Sequence, residues 1–114
     1  MSDARRVGTA IEDAAANHLL SLGWTLIARR QKTAHGELDL VAFDAQTLVF
    51  VEVRYRQDGS AIQSISAGKR AKLLLAVEEF CAKFEPAEST PIRVDVLLYD
   101  GQNWELLRGA IEAD

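Results

Sequence analysis

A chain of 114 residues with 48% hydrophobic, 26% charged and 7% aromatic content reads as one ordinary globular domain, 1–114, large enough to bury a core without disulfides. Its one cysteine, Cys81, excludes a disulfide framework or a cysteine-rich zinc site and suits a reducing compartment. The net charge of −4 argues against a protein that coats nucleic acid by bulk electrostatics, and the lack of an apolar run at residues 1–6 or of any stretch long enough for a bilayer leads us to expect a cytoplasmic, non-membrane protein.

In chain order, residues 5–22 read as a helix, because Val7, Ile11, Ala14, Ala15, His18, Leu19 and Leu22 recur at helical spacing and Gly23 stands where a helix end takes positive φ. Residues 24–30 read as a strand and 31–35 as a polar loop. Residues 37–43 and 48–55 read as two strands around the turn-like Asp44-Ala45-Gln46-Thr47, the second rich in Val and Phe. A loop at 57–65 containing Asp58-Gly59 leads into a helix at 66–84, whose apolar stripe is Leu73, Val77, Phe80, Cys81 and Phe84. The stretch 86–91, bounded by Pro86 and Pro91, breaks the chain; 92–99 is a strand, Asp100-Gly101 a turn and 104–107 a short edge strand. The order αβββαββ joins an antiparallel hairpin to a helical crossover that suits a parallel neighbour. It predicts an α/β fold, a mixed β-sheet flanked by the two helices.

Strand side chains alternate between faces, so Glu37, Asp39, Val41 and Phe43 are expected on one face, and Leu48, Phe50, Glu52, Arg54 and Arg56 on one face of the next strand. If Phe43 pairs with Leu48, Asp39 falls opposite Glu52 and Glu37 opposite Arg54. Like charges directly opposed destabilise a sheet, and the apolar flanks Leu38, Leu40, Val41, Val51 and Val53 make charge there costly. A divalent cation between the acids removes the conflict, and Mg2+ suits oxygen ligands. The competing account is a solvated face on which Arg54 and Arg56 balance the acids.

Gly36-Glu37-Leu38-Asp39 followed by Val51-Glu52-Val53-Arg54 resembles the core of the PD-(D/E)XK nucleases. More closely, the chain resembles the YraN-like family of bacterial proteins, described as Holliday-junction-resolvase-like endonucleases. The likeness also rests on Gly8-Thr9-Ala10-Ile11-Glu12, Arg29-Arg30, the segment 66–72 and Arg93-Val94-Asp95-Val96. It implies a restriction-endonuclease-like fold and an Mg2+- or Mn2+-dependent endonuclease acting on DNA, branched or otherwise structured. Asp39 would be the principal metal ligand, Glu52 the second carboxylate, and Glu12 the acid contributed by the first helix. Glu37 would be a supporting acid. Arg54 stands in the place of the nuclease lysine; it can stabilise developing phosphate charge but cannot deprotonate water, since it stays charged. Resolvases that cut symmetric junctions act as dimers, so a homodimer accompanies this reading.

Arg29, Arg30, Lys32, Arg54, Arg56, Lys69, Arg70 and Lys72 are candidates for a phosphate-binding rim, with Lys69 and Arg70 in the first turns of the second helix, where free amides favour anions. His35 is a loop histidine beside the acid run, His18 reads as a helix histidine at core spacing, Trp24 and Trp104 as packing residues, and Asp95 either as a structural acid or as a satellite of the site. Two alternatives stay open. One is a catalytically inactive nucleic-acid-binding module on the nuclease fold, favoured by Arg54 and the acidic net charge; the other is a protein-interaction domain whose acids are structural.

Overall fold

A computed structural model describes residues 3–57 and 65–112. Its elements are α1 (Asp3–Ser21), β1 (Thr25–Thr33), β2 (Gly36–Asp44), β3 (Thr47–Tyr55), α2 (Ala67–Phe84), β4 (Ile92–Tyr99) and β5 (Trp104–Leu107), the αβββαββ order expected. Most of the loop expected at 57–65, Asp58-Gly59 included, lies outside the described residues. No helix among the described residues is long and apolar enough to cross a membrane.

The strands form one five-stranded sheet in the order β1-β2-β3-β4-β5. The β3–β4 pair, joined by α2, is parallel and the other pairs are antiparallel. Each helix covers one face. Ala15, Ala16 and Leu19 of α1 pack with Leu40, Ala42, Val49, Val51, Leu97 and Trp24. Ala76 and Val77 of α2 pack with Val41, Leu48, Phe50, Val94 and Val96, and Ile111 of the C-terminal segment closes that cluster.

The α1 stripe departs from expectation at its two ends and at Ala14: Val7 is 50% and Leu22 47% exposed, and Ala14 is exposed while Ala16 is buried. The helix meets the sheet through small residues in its later turns, which lets the backbones approach closely and leaves the ends of the stripe beyond the contact. Gly23, at φ +87°, ends the helix as predicted, and the Trp24 amide donates back to Leu19 O at 3.2 Å. Trp24 then turns into the core. His18 stacks on Trp104, so both packing assignments hold.

β1 is longer than predicted. Residues 31–33, expected as loop, pair with Leu38, Glu37 and Gly36, and only Ala34 and His35 make the turn. An edge strand can solvate polar side chains on both faces, so no apolar alternation announces it. α2 starts at a Ser66 N-cap whose Oγ accepts from the Lys69 amide at 3.2 Å. Cys81, expected to be buried, is half-buried, and burial pushes its thiol pKa up.

Candidate metal centre

The β2–β3 hairpin adopts the predicted register, from Asp44↔Thr47 through Phe43↔Leu48 to Leu40↔Val51. A two-residue turn at Ala45-Gln46, with Ala45 at φ +53°, sets it. Past Leu40 the ladder changes character. Asp39 Oδ2 accepts the Val53 amide at 2.8 Å, so a carboxylate takes the place of a backbone partner. Asp39 and Glu52 meet side chain to side chain.

The predicted face alternation also breaks at Asp39. Leu38 packs on the α2 side and Leu40 on the α1 side, although they are two residues apart. Between the pairs Arg29↔Leu40 and Gln31↔Leu38, Arg30 adopts φ +47°, a left-handed backbone rare for a long side chain. This local reset corrects one expectation. Arg54 Nη2 donates to Glu52 Oε2 at 2.8 Å, and Glu37 gathers with Glu12 and Asp39.

Glu12, Glu37 and Asp39 each offer a carboxylate oxygen within 4.8 Å of the others. Glu52 stands beside Asp39 but outside that trio, and Glu37, expected as a supporting acid, stands inside it. Burial, then hydrogen bonding to Glu52 and the repulsion of its charge, push the Asp39 carboxyl up to about 8. Burial and the nearby Asp39 charge raise Glu12 as well, against an opposing contribution from Arg30. The trio fits a hard divalent cation. Its donors are all oxygen, and an octahedral ion at about 2.1 Å from each would draw them to roughly 3–4 Å apart, a small side-chain rotation from where they stand. Mutual repulsion, which raises the proton affinity of these acids, equally raises their affinity for a cation.

The basic residues divide into two groups. Arg30 Nη1 donates to Glu12 Oε1 and Asp13 Oδ1, both at 3.3 Å, and Arg29 Nη1 to Asp13 Oδ1 at 3.2 Å. These two arginines, read from sequence as phosphate binders, are engaged by α1 acids. Lys69 and Lys72 instead line a cavity of about 220 Å³ with His35, Glu37, Glu52 and Arg54. Arg70 is exposed and outside that lining. Arg56 borders a second cavity of about 450 Å³, with Val7, Ile11, Glu12, Val53 and Arg54. Arg54 thus lies between two openings. Its Nε is buried with no hydrogen-bond partner among the described residues, a costly state for a donor.

Asp95 resolves as a structural acid. It is fully buried, and it accepts from Arg93 Nε at 2.9 Å, Arg93 Nη2 at 3.0 Å and the Gly109 amide at 2.9 Å. Sequence reasoning missed Asp13 and Glu79. Asp13 is adjacent to Glu12, so the helix phase offered some signal. Glu79 offered none, because its role depends on a turn 45 residues away.

Comparison with known proteins places this chain among relatives of similar length. Residues 11–98 match the Uncharacterised protein family UPF0102, and that span includes Glu12, Glu37, Asp39, Glu52 and Arg54. A UPF0102 protein of Xylella fastidiosa is 40% identical over 119 aligned positions, covering 100% of this chain and 98% of the relative. A UPF0102 protein of Pseudomonas fluorescens is 41% identical over 116 positions, covering 93% of each chain. One of Pseudomonas entomophila is 44% identical over 98 positions, covering 83% and 80%.

Proposed function

From a chain that belongs to the UPF0102 family, the YraN-like group whose central run it resembles, we propose a metal-dependent endonuclease that hydrolyses phosphodiester bonds in branched or otherwise structured DNA. The observation that carries this reading is the convergence of Glu12 on α1 with Glu37 and Asp39 on β2, beside Glu52 and Arg54 on β3. The mixed sheet, with its acids where the β2–β3 ladder ends, supports a restriction-endonuclease-like architecture of the PD-(D/E)XK kind.

Glu12, Glu37 and Asp39 would hold Mg2+ or Mn2+, which when bound supplies charge neutralisation at the phosphate and an acidified water. The protein's own groups do the rest. Asp39 must release the proton that burial and Glu52 hold on it before it takes a cation. Glu52 orients Arg54 through the 2.8 Å ion pair, and the guanidinium charge so held would face a phosphate oxygen. Arg54 stabilises charge rather than moving a proton. Lys69 and Lys72, at the capped start of α2, would bind phosphates flanking the scissile one. Two copies acting together would suit a symmetric junction.

The test is cleavage of four-way junction and flap DNA in Mg2+ or Mn2+, which Asp39→Ala should abolish. Cleavage by the variant at the wild-type rate refutes the assignment. The Glu52–Arg54 pair favours one alternative, a catalytically silent DNA-binding module. That alternative predicts salt-sensitive binding with no turnover by wild type, and its clearest check is turnover gained in Arg54→Lys.

A further inference from the structure

Within the trio, Glu12 is held by Arg30 and Asp39 by the Val53 amide, and both are half-buried. Glu37 is exposed and sits one residue past Gly36, at the mouth of the β1–β2 hairpin. It pairs with Lys32 in the first rungs of the ladder after the Ala34–His35 turn, so the turn and β1 together place it. That turn is not free. The Ala34 amide donates to both carboxylate oxygens of Glu79 on α2, at 3.0 Å each. Glu79 Oε1 also lies 3.3 Å from His35 Nδ1, and Oε2 lies 3.8 Å from Lys83 Nζ.

We propose that Glu79 is a positioning residue of the metal centre. It clamps the β1–β2 turn onto α2 and thereby sets Glu37 within ligand reach of Glu12 and Asp39. The inference rests on the reading of that trio as metal ligands. Three observations carry it. Both Glu79 oxygens converge on one backbone amide at a hairpin tip, where core packing does not require them. The clamped turn leads directly into Gly36 and Glu37, with Gly36 at φ +129° closing the turn. The same helix carries Lys69 and Lys72, which line a cavity together with His35 and Glu37, so the helix that holds the turn also borders the ligand that the turn leads into. Partners that orient a ligand affect affinity without touching the ion. Coupling of this kind is reciprocal, so metal binding should in turn tighten the clamp.

The experiment is Mn2+ titration calorimetry on the full chain. Glu79→Ala should weaken Mn2+ binding by about tenfold. Ala34→Pro removes the donor from the other side of the clamp, at a turn corner where proline is well tolerated, and should weaken binding to a similar extent. Glu79→Gln keeps an acceptor and should fall between these and wild type. Glu78→Ala, at an exposed neighbour outside the clamp, should bind as wild type. Saturating Mn2+ should slow exchange of the Ala34 amide in wild type and not in Glu79→Ala. If Glu79→Ala does not fold, Ala34→Pro decides. Affinity within twofold of wild type in the folded variants overturns the clamp and leaves the metal reading standing. Absence of Mn2+ binding by wild type overturns both.

Discussion

Asp95 and Asp39 lie on alternate strands of one sheet at nearly the same level, Asp95 beside Val51 and Asp39 next to that residue's other partner, Leu40. Asp95 is fully buried and Asp39 half-buried, and their surroundings are opposite. Asp95 receives the two-pronged Arg93 and the Gly109 amide, and Arg93 reaches on to Asp44 at 3.0 Å and lies over the Trp24 ring. Asp39 receives one amide and otherwise faces Glu12, Glu37 and Glu52. A buried acid is thus no sign of function in itself. What distinguishes the two is whether the protein supplies the compensating donors or leaves them to be brought from outside.

The largest expected effect comes from breaking the satisfied cluster. Asp95→Ala leaves Arg93 with Asp44 alone and the Gly109 amide without its acceptor, and should destabilise the fold by about 3 kcal/mol in urea denaturation. Asp39→Asn in the metal-free protein should cost little or even stabilise it, because the amide removes the repulsion. Equal losses in the two variants would erase the distinction.

Next comes metal. Mn2+ at a hundred times its dissociation constant should stabilise wild type by about 2.7 kcal/mol, read as a rise in Tm, and should leave Asp39→Asn unmoved. An unchanged wild-type Tm would favour acids that are merely structural.

Then comes pH. The Asp39 pKa rises on folding from 3.8 to about 8, so the folded state keeps a proton that the unfolded chain releases. The stability contributed by this group is complete below about 4 and is lost as pH climbs through about 8. Glu12 shifts in the same direction. Metal-free wild type should therefore weaken between pH 5 and 8, by at most about 1.4 kcal/mol per unit for one group, while Asp39→Asn flattens the profile. Metal affinity should move oppositely and rise with pH. A metal-free stability that climbs over this range would reverse the assigned sign.

The smallest effect concerns the cavity lysines. Lys69→Ala or Lys72→Ala should weaken DNA binding across all sequences and lower the salt slope by about 1 each. Arg29→Ala, whose partner is Asp13, should leave that slope nearly unchanged.

Several of these features can be read directly along the chain. The register of β2 and β3 follows from the turn-like Asp44-Ala45-Gln46-Thr47, because a two-residue turn at Ala45-Gln46 and a pairing of Phe43 with Leu48 give the same partners. Gly23 marks the end of α1, and the acids of β2 and β3 declare themselves by their apolar flanks. β1 was harder, since a polar edge strand carries no alternation. The partners of Arg29 and Arg30 were harder still, because a charged residue on an edge strand reads alike whether it faces phosphate or a helix acid.

The order of elements, the hairpin register and the approach of Asp39 to Glu52 follow from local periodicity and turn chemistry, which act over a few residues and are written along the chain. That Glu37 rather than Glu52 joins Glu12 and Asp39, that Arg30 takes a left-handed backbone, and that Glu79 reaches the Ala34 turn depend on helices packed from distant positions. Side-chain direction at the end of a ladder is set by such contacts, because there the regular alternation no longer constrains it.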